Sequence, residues 1–450
     1  MKLNPAGCIS VLRDFDPCRI FGKVCNVVGL IAEGRGIKAP LGSVCMLLPE
    51  EGREDKGIYA EVVGFRDGSV LLMPYGEMRG IRPGSLIKNT NTPPLFPTGD
   101  GFLGRCVDAF GNPLDEKGPV PLDRYYPLYA KPLNPLERPR ISEPLDVGIK
   151  AVNGLLTLGK GQRVGIMSGS GVGKSTLMGM MARYTEADVN VIALVGERGR
   201  EVLEFIERDL GPEGMARSVV VAATSDNPPL VRLRAAYAAT AAAEFFRDQG
   251  KDVLLMMDSV TRFAMAAREV GLAAGEPPTT RGYTPSVFAQ LPKLLERAGR
   301  SRIGTITGIY TVLVEGDDFN EPIADAVRAI LDGHIVLTRE LADQGHYPAI
   351  DVLKSISRLR IDVTSRDVLN AGKILVRHLA TYARVEDMVN IGAYAQGSSP
   401  EIDLALKMIE PIREYLRQDI EDGQTMEQSF EALQTLVAPP RAGEKPARKK

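Results

Sequence analysis

The chain has no tryptophan, and aromatic residues make up only 6% of its 450 residues. Proteins that hold single-stranded nucleic acid usually stack its bases on aromatic side chains inside a basic groove. The charges also balance, with 55 basic against 57 acidic residues, whereas broad nucleic-acid-binding surfaces carry an excess of positive charge. These shortages predict that nucleic acid is not a partner of this protein.

Cysteines and long apolar runs are scarce too. None of the five cysteines forms a pair at the two-residue spacing of a zinc or redox site, and an odd number cannot all pair within one chain. We therefore expect free thiols in a reducing cytosol. The N-terminus lacks the apolar core of a signal peptide, and no run approaches the roughly 20 apolar residues that span a bilayer. The expected location is cytoplasmic, with any membrane contact peripheral.

The first part of the chain, residues 20–92, consists of short β-prone runs separated by glycine. Asp67-Gly68 lies between two of these runs and predicts a tight hairpin, since both residues tolerate positive φ angles. Several such strands within about 70 residues favour a small closed barrel or a sandwich. Pro93, Pro94 and Pro97 then predict a connector.

The middle part, residues 93–366, alternates apolar runs with helical stretches, which indicates an α/β domain with a parallel sheet covered on both faces. Residues 367–437 are predicted to be helical. Ser399-Pro400 is a good helix start, and Thr425 with Gln428 fits a capping box. The last residues, 438–450, have almost no apolar content and are expected to be disordered. One helix face is predicted from Ile402, Leu406, Ile409, Ile412, Leu416 and Ile420.

A glycine-rich run between an apolar strand and a helix predicts a phosphate-binding loop. Its backbone N–H groups and the helix N-terminus can bind phosphate oxygens. Lys174 can reach the β- and γ-phosphates of ATP, and the Ser175 hydroxyl can ligate Mg²⁺. The first glycine of the usual pattern is Ser168 here. The predicted nucleotide-binding residues are Ser170, Gly171, Val172, Gly173, Lys174, Ser175 and Thr176.

Two further acidic positions follow predicted strands. VLLMMD ends in Asp258, and a carboxylate at that end of a strand can orient Mg²⁺ through its water shell. VIALVGER places Glu197 and Arg198 at the same sheet edge, where Glu197 can position the attacking water and Arg198 can stabilise phosphate charge. The alternative is that Glu197 and Arg198 form a surface ion pair that caps the next helix.

Four long stretches carry a resemblance to a known family: GSGVGKS, GERGREV, DSVTRFAMAAREVGLAAGEPP and RGYTPSVFAQLPKLLERAG. They resemble the rotary-ATPase-related catalytic subunits of type III secretion, and the likeness covers nearly the whole chain. GMMARYTEADV and VNIGAYAQGSSPEID favour the flagellar export branch of this family. The resemblance implies a RecA-like P-loop core with an N-terminal β-barrel and a C-terminal helical domain, and it implies ATP hydrolysis with Mg²⁺.

The resemblance also implies roles for single residues. Glu197 becomes the catalytic carboxylate, Arg198 a γ-phosphate contact, and Arg262 a second arginine of the site. Tyr347 matches the residue that stacks on adenine, although a tyrosine is more often part of a core. Arg358 matches an arginine finger that reaches the neighbouring subunit's site, and its alternative is a structural arginine that bonds the next loop.

One chain carries both Glu197 and Arg358, so identical copies could complete one another's sites in a ring. The family implies a homohexamer, a stator-like negative regulator bound at residues 1–19, and a central stalk protein. It also implies contact with export-gate membrane proteins and with export chaperone–substrate complexes.

Three other functions fit parts of the pattern. An injectisome ATPase of virulence secretion would use the same chemistry on other cargo. A Rho-like nucleic-acid translocase shares the core, but the scarcity of aromatic residues argues against it. A nucleotide-binding subunit without turnover would lack Glu197.

Overall fold

A computed structural model describes residues 21–49, 54–314 and 321–438. The predicted partner-binding segment 1–19 lies outside the described residues, as does the predicted tail beyond residue 438. The described chain divides into two compact units. One contains the described residues through Leu95 with Asn227–Val231 and Ala266–Pro285, and the other contains the rest. The predicted domain boundaries at 92/93 and 366/367 remain predictions.

The N-terminal strands form a closed barrel in the order β1-β2-β5-β4-β3-β6, as the β-rich pattern predicted. Its hairpin is confirmed: Arg66 pairs with Ser69, and the two residues between them have φ angles of 48° at Asp67 and 72° at Gly68. The strands are β1 Phe21–Val28, β2 Ile31–Arg35, β3 Val44–Leu48, β4 Ile58–Arg66, β5 Ser69–Pro74 and β6 Leu86–Asn89.

The predicted proline-rich connector contains a strand. Leu95–Thr98 (β7) pairs with Arg124–Pro127 (β9) in a two-stranded sheet, with Pro97 inside β7. Proline is tolerated there because a strand of a two-stranded sheet has a free edge that needs no N–H donor.

The second unit is built on a nine-stranded sheet in the order β19-β18-β12-β17-β15-β13-β14-β8 with β16 attached to β17. The strands from β18 to β8 run parallel, which confirms the α/β prediction. The remaining strands of the chain are β8 Arg105–Val107, β10 Pro144–Leu145, β11 Leu158–Gly159, β12 Arg163–Ser168, β13 Val189–Val195, β14 Ser218–Ala223, β15 Asp252–Asp258, β16 Gly299–Arg300, β17 Thr305–Leu313, β18 Gly333–Leu337 and β19 Ile356–Ser357.

The α-helices between residues 150 and 363 are α1 Lys150–Leu155, α2 Lys174–Tyr184, α3 Gly199–Glu204, α4 Gly211–Ala216, α5 Pro229–Asp248, α6 Val260–Ala274, α7 Pro285–Leu295, α8 Pro322–Ile330, α9 Arg339–Asp343 and α10 Arg360–Val363. A π-helix, Phe205–Leu210, continues α3, and short 3₁₀ turns lie at Glu54–Lys56, Asp100–Phe102, Pro135–Glu137 and Thr280–Gly282. The middle strands β12, β13 and β15 are buried almost throughout, because helices cover both faces of a parallel sheet.

The C-terminal segment is helical, as predicted, with α11 Arg366–Asn390, α12 Pro400–Leu416 and α13 Met426–Val437. Ser399 precedes α12 with proline at its first position, and Thr425 with Gln428 forms the predicted capping box of α13. Ile420 was wrongly placed on the face of α12. The helix ends at Leu416 because Arg417 is extended and Gln418 donates its backbone N–H to the Tyr347 carbonyl.

None of the helices among the described residues is both long and apolar enough to cross a membrane.

Candidate active site

The glycine-rich loop lies at the carboxyl end of β12, between that strand and α2, as its sequence predicted. Gly173 immediately precedes α2 with a φ of 90°, a conformation that L side chains rarely adopt. A cavity of about 640 Å³ opens over this loop, and Ser168, Gly169, Ser170, Gly171, Lys174 and Ser175 line it. Thr176 is half-buried in α2, and Val172 is buried below the loop.

The carboxylates predicted from the neighbouring strands meet Lys174. Its ammonium group donates to Oδ1 of Asp258 at the end of β15, and it lies 3.8 Å from Oε1 of Glu197. Asp258 also accepts a 2.7 Å hydrogen bond from the hydroxyl of Thr311 on the adjacent strand β17. The sheet topology therefore brings the predicted lysine and both acidic residues to one edge, as parallel strands require.

Arg262, in the first turn of α6, holds the carboxylate of Glu197. Its Nε lies 3.2 Å from Oε1, and its Nη2 donates to Oε2 at 3.3 Å. Gly196 makes room for this contact: a Cβ at that position would lie 3.0 Å from Cδ of Arg262. The pair belongs to the cavity lining, whose cationic side chains are Lys174, Arg198, Arg262 and Arg339.

Glu197 is 9% exposed, and its environment perturbs its ionisation. Burial first, and the negative charge of Asp258 second, raise the pKa of Glu197 to about 7, although Lys174 and Arg262 act in the opposite direction. A carboxyl group that exchanges its proton near neutral pH is suited to accept a proton from water.

Arg198 also lines the cavity, but its side chain is 65% exposed. Its Nη1 lies 3.5 Å from Oε1 of Glu201, and the two residues form a capping box at the start of α3. In this arrangement Arg198 is free to turn toward phosphate. The alternative of a surface ion pair between Glu197 and Arg198 does not match these contacts, because Arg198 caps α3 with Glu201 whereas the buried Glu197 contacts Arg262 and Lys174.

Tyr347 and Arg358 lie outside the described lining of the cavity. Tyr347 is 47% exposed as a residue, and its ring lies beside the glycine-rich loop: a Cβ on Gly173 would lie 3.6 Å from Cδ1 and Cε1 of the ring. An exposed aromatic face next to a phosphate loop is suited to stack on a base. Tyr347 is therefore not the core tyrosine that was its alternative interpretation.

Arg358 lies at the opposite edge of the sheet. It follows β19, whose Ser357 pairs with Gly333 at the start of β18, whereas the cavity opens at the ends of the parallel strands. Among the described residues, none forms a hydrogen bond or ion pair with its exposed side chain.

Sequence reasoning missed three polar or charged residues of this site, Glu201, Thr311 and Arg339, and two apolar lining residues, Leu313 and Val314. Arg339 begins α9 directly after β18, lines the cavity, and donates from Nη2 to the Ser170 carbonyl at 3.3 Å. Thr311 lies within a run of apolar strand residues, and Arg339 lies in an ordinary helix start. Glu201 lies in the run GERGREV, but Glu197 precedes α3 (Gly199–Glu204), so helical spacing did not indicate their contact.

The residues present fit ATP with Mg²⁺. The described residues contain no cluster of three or more acidic, histidine or cysteine side chains that could bind a metal by themselves. Mg²⁺ needs no such cluster in nucleotide sites, because one or two protein oxygens together with substrate phosphates and water complete its coordination. Ser175 in the cavity lining and Asp258 beside Lys174 remain the predicted oxygens for this ion, with Asp258 acting through its water shell.

Three family models match consecutive parts of the chain. Residues 24–91 match the beta-barrel domain of the ATP synthase alpha/beta family, and residues 148–357 match the nucleotide-binding domain of that family. Residues 364–435 match the C-terminal domain of the type III secretion ATPase EscN.

Whole-length relatives agree with these matches. The flagellum-specific ATP synthase of Bacillus subtilis is 54% identical over 95% of this chain and 98% of its own length. The type 3 secretion system ATPase of Xanthomonas euvesicatoria is 50% identical over 93% of this chain and 94% of its own. The assembled ATPase EscN from enteropathogenic E. coli superposes with a TM-score of 0.88, at 46% identity, over 93% of this chain and 100% of its own.

Proposed function

This chain belongs to the family of the flagellum-specific ATP synthases and type III secretion ATPases, and we propose that it hydrolyses ATP in the cytoplasm to energise protein export at the base of a bacterial flagellum. The observation that supports the chemistry best is the convergence of Lys174, Glu197 and Asp258 at one sheet edge.

The residues divide the reaction between them. Backbone N–H groups of the glycine-rich loop and Lys174 bind the phosphates, while Tyr347 stacks on the base. Glu197, oriented by Arg262, positions the attacking water and accepts its proton. Mg²⁺, held by Ser175 and Asp258, would neutralise phosphate charge when it is bound. Arg198 stabilises the γ-phosphoryl oxygens.

Each site is completed by a second copy of the chain. Arg358 lies at the sheet edge opposite its own cavity, and none of the described residues of its chain bonds its side chain, which supports a role at a neighbour's site. The structure of EscN with its central stalk EscO, which superposes with a TM-score of 0.85 at 45% identity over 93% of this chain, supports a ring around a stalk. We propose a homohexamer with a stalk protein in its centre.

Further partners follow from the same proposal. A stator-like regulator would bind residues 1–19, and the ring would stand at the inner face of the cytoplasmic membrane beside the export-gate proteins, where it would receive chaperone–substrate complexes.

ATPase activity per subunit, measured over a wide range of protein concentration, tests the shared site. We expect the activity per subunit to rise steeply on assembly. Glu197→Gln and Arg358→Ala should each have almost no activity, and a one-to-one mixture of the two variants should recover part of it. Activity that is independent of concentration, with Arg358→Ala unimpaired, would show that each subunit works alone.

Export is tested in the source bacterium. Deletion of the gene should abolish secretion of flagellar filament protein and motility, and wild type but not Glu197→Gln should restore both. Normal motility together with the loss of injectisome effectors from the medium would assign the chain to virulence secretion instead.

A further inference from the structure

The backbone of Arg358 is fixed by Asp332. The Arg358 N–H donates to the Asp332 carbonyl at 3.0 Å, immediately beyond the antiparallel pairing of Ser357 with Gly333. Since no described residue bonds the exposed Arg358 side chain, these backbone contacts determine where its guanidinium can reach. A shift of Asp332 would therefore move Arg358.

Asp332 is in turn held by Arg163, the first residue of β12. The Asp332 N–H donates to the Arg163 carbonyl at 2.8 Å, and the backbone N and Nε of Arg163 each lie 3.1 Å from Oδ2 of Asp332. Nη2 of Arg163 donates to Oδ1 at 3.3 Å. The two residues are thus joined by four hydrogen bonds, a geometry that permits little relative movement.

The Arg163 side chain is itself well buried and doubly paired. Only 14% of it is exposed, and it contacts Glu296 as well as Asp332. Burial opposes its charge, but the hydrogen bonds and charges of the two carboxylates more than offset this, and they raise the pKa of Arg163. Removing one partner of such a group is costly, because the remaining charge stays buried.

A second connection runs through Gln162. Its Nε2 lies 3.3 Å from the Asp332 carbonyl and 3.1 Å from Oγ of Ser357, the residue before Arg358. The Ser357 hydroxyl donates to the Thr157 carbonyl at 2.9 Å. Consecutive residues 162 and 163 thus fix both sides of the turn that presents Arg358.

Strand β12 joins this turn to the phosphate-binding loop. Arg163 is its first residue, and Ser168, where the loop begins, is its last. At about 3.3 Å per residue the two ends are roughly 17 Å apart. All six residues pair with β17, and the last four also pair with β18, so the strand is held on both sides.

We propose that Arg163 and Asp332 are positioning residues for Arg358, acting through it on the active site of the neighbouring subunit. The inference rests on the proposed function, because it requires Arg358 to complete a neighbour's site. Through β12, one strand contributes to two sites: its carboxyl end binds phosphate in its own subunit, and its amino end places the arginine that the next subunit uses.

Mixed rings test the inference, because they reveal which site a variant damages. Asp332→Asn alone should lower kcat about 10- to 100-fold with the KM for ATP nearly unchanged, as expected for a displaced group. A mixture with Glu197→Gln should recover activity, since the Asp332→Asn subunit retains an intact Glu197. A mixture with Arg358→Ala should recover none, because both subunits then lack a well-placed Arg358.

Three results would overturn the inference: wild-type kcat for Asp332→Asn, recovery with Arg358→Ala, or failure to recover with Glu197→Gln. Recovery with Arg358→Ala would show that Asp332 supports its own subunit's site. If Asp332→Asn does not assemble, Gln162→Ala replaces it in the same mixtures. We then expect recovery of activity with Glu197→Gln and no recovery with Arg358→Ala.

A matched control separates positioning from general stability. Lys160 and Asp252 form a 2.6 Å ion pair of similar exposure, 23% and 28%, at the same sheet edge and without contact to Arg358. Asp252→Asn should keep wild-type kcat even if it lowers Tm, and an equal loss of kcat would overturn the specific role of Asp332. The mixture of Glu197→Gln with Arg358→Ala serves as the reference: if it recovers nothing, the proposed shared site itself fails.

Discussion

Arg262 contacts the carboxylate of Glu197 through two nitrogens: Nη2 donates a hydrogen bond to Oε2 at 3.3 Å, and Nε lies 3.2 Å from Oε1 without hydrogen-bond geometry. This pairing fixes the carboxylate in the cavity and also opposes the rise of its pKa. Orientation and basicity of Glu197 therefore depend on the same partner, and substitution of Arg262 should change both.

Arg262→Gln should lower kcat about 100-fold, because a loosened carboxylate no longer holds the attacking water in line. Loss of the positive charge should also move the acid limb of the pH–rate profile to higher pH. Steady-state kinetics between pH 5.5 and 9 at saturating ATP would measure both effects. Arg262→Lys, which keeps the charge but not the two-nitrogen contact, should leave the limb in place; an unshifted limb in Arg262→Gln would contradict the prediction.

Activity of the wild type should fall as the pH drops through about 7. Because the pKa of Glu197 is raised to about 7, its carboxylate becomes protonated in this range and can no longer accept a proton from water. The measurement is kcat/KM for ATP against pH, with light scattering at each pH to confirm that the ring persists. A flat profile down to pH 5 with intact rings would show that Glu197 does not control the rate.

Glu197→Gln should stabilise the nucleotide-free protein at pH 8 and have little effect near pH 4.5. The pKa of Glu197 is raised on folding, so the folded state binds the proton more tightly and the wild type loses stability as pH rises from about 4.5 through about 7. The amide avoids that loss, and we expect Tm to increase by about 2 °C at pH 8. Calorimetry at both pH values would measure this, and a lower Tm at pH 8 would contradict it.

Tyr347→Ala should raise the KM for ATP about 10-fold with little change in kcat, since base stacking contributes to ground-state binding. Tyr347→Phe should behave like the wild type, because stacking requires the ring and not the hydroxyl. Equilibrium titration with a fluorescent ATP analogue would measure both variants. An unchanged dissociation constant for the alanine variant would mean that the exposed ring has another purpose.

Asp258→Asn should increase the Mg²⁺ concentration needed for half-maximal activity. A neutral amide binds the water molecules around the ion less strongly than a carboxylate does. Activity should partly return at high Mg²⁺. Thr311→Val, which removes only the 2.7 Å hydrogen bond to Asp258, should give a smaller shift in the same direction. Equal Mg²⁺ dependence in wild type and Asp258→Asn would remove Asp258 from the metal site.

The sequence predicted the elements whose local signals are strong. Asp67-Gly68 gave the hairpin, and Thr425 with Gln428 gave the capping box of α13. The glycines before Lys174 predicted the loop between β12 and α2, because backbone conformations with positive φ favour glycine over other residues. The edge strand at Leu95–Thr98 and the early end of α12 escaped prediction, since each is decided by contacts with residues distant in the chain.

Some residues of the candidate site could likewise be predicted from the sequence, and others could not. Lys174, Glu197 and Asp258 follow predicted strands, so their convergence followed from the sheet topology. Neither the paired contact of Arg262 with Glu197 nor the position of Arg339 over the loop follows from residue type or spacing, because both depend on side-chain paths in three dimensions. The resemblance to a known family identified Arg262 without indicating its partner.

Glu197 and Arg358 lie toward opposite edges of one sheet in the same polypeptide, so under the proposed function every copy of the chain participates in two reaction sites. This has a genetic consequence. In a cell that makes normal and defective chains together, a copy that lacks both groups inactivates its own site and the site of a neighbour that is itself normal. Such an allele would be dominant, and its effect on motility would exceed its share of the chains produced.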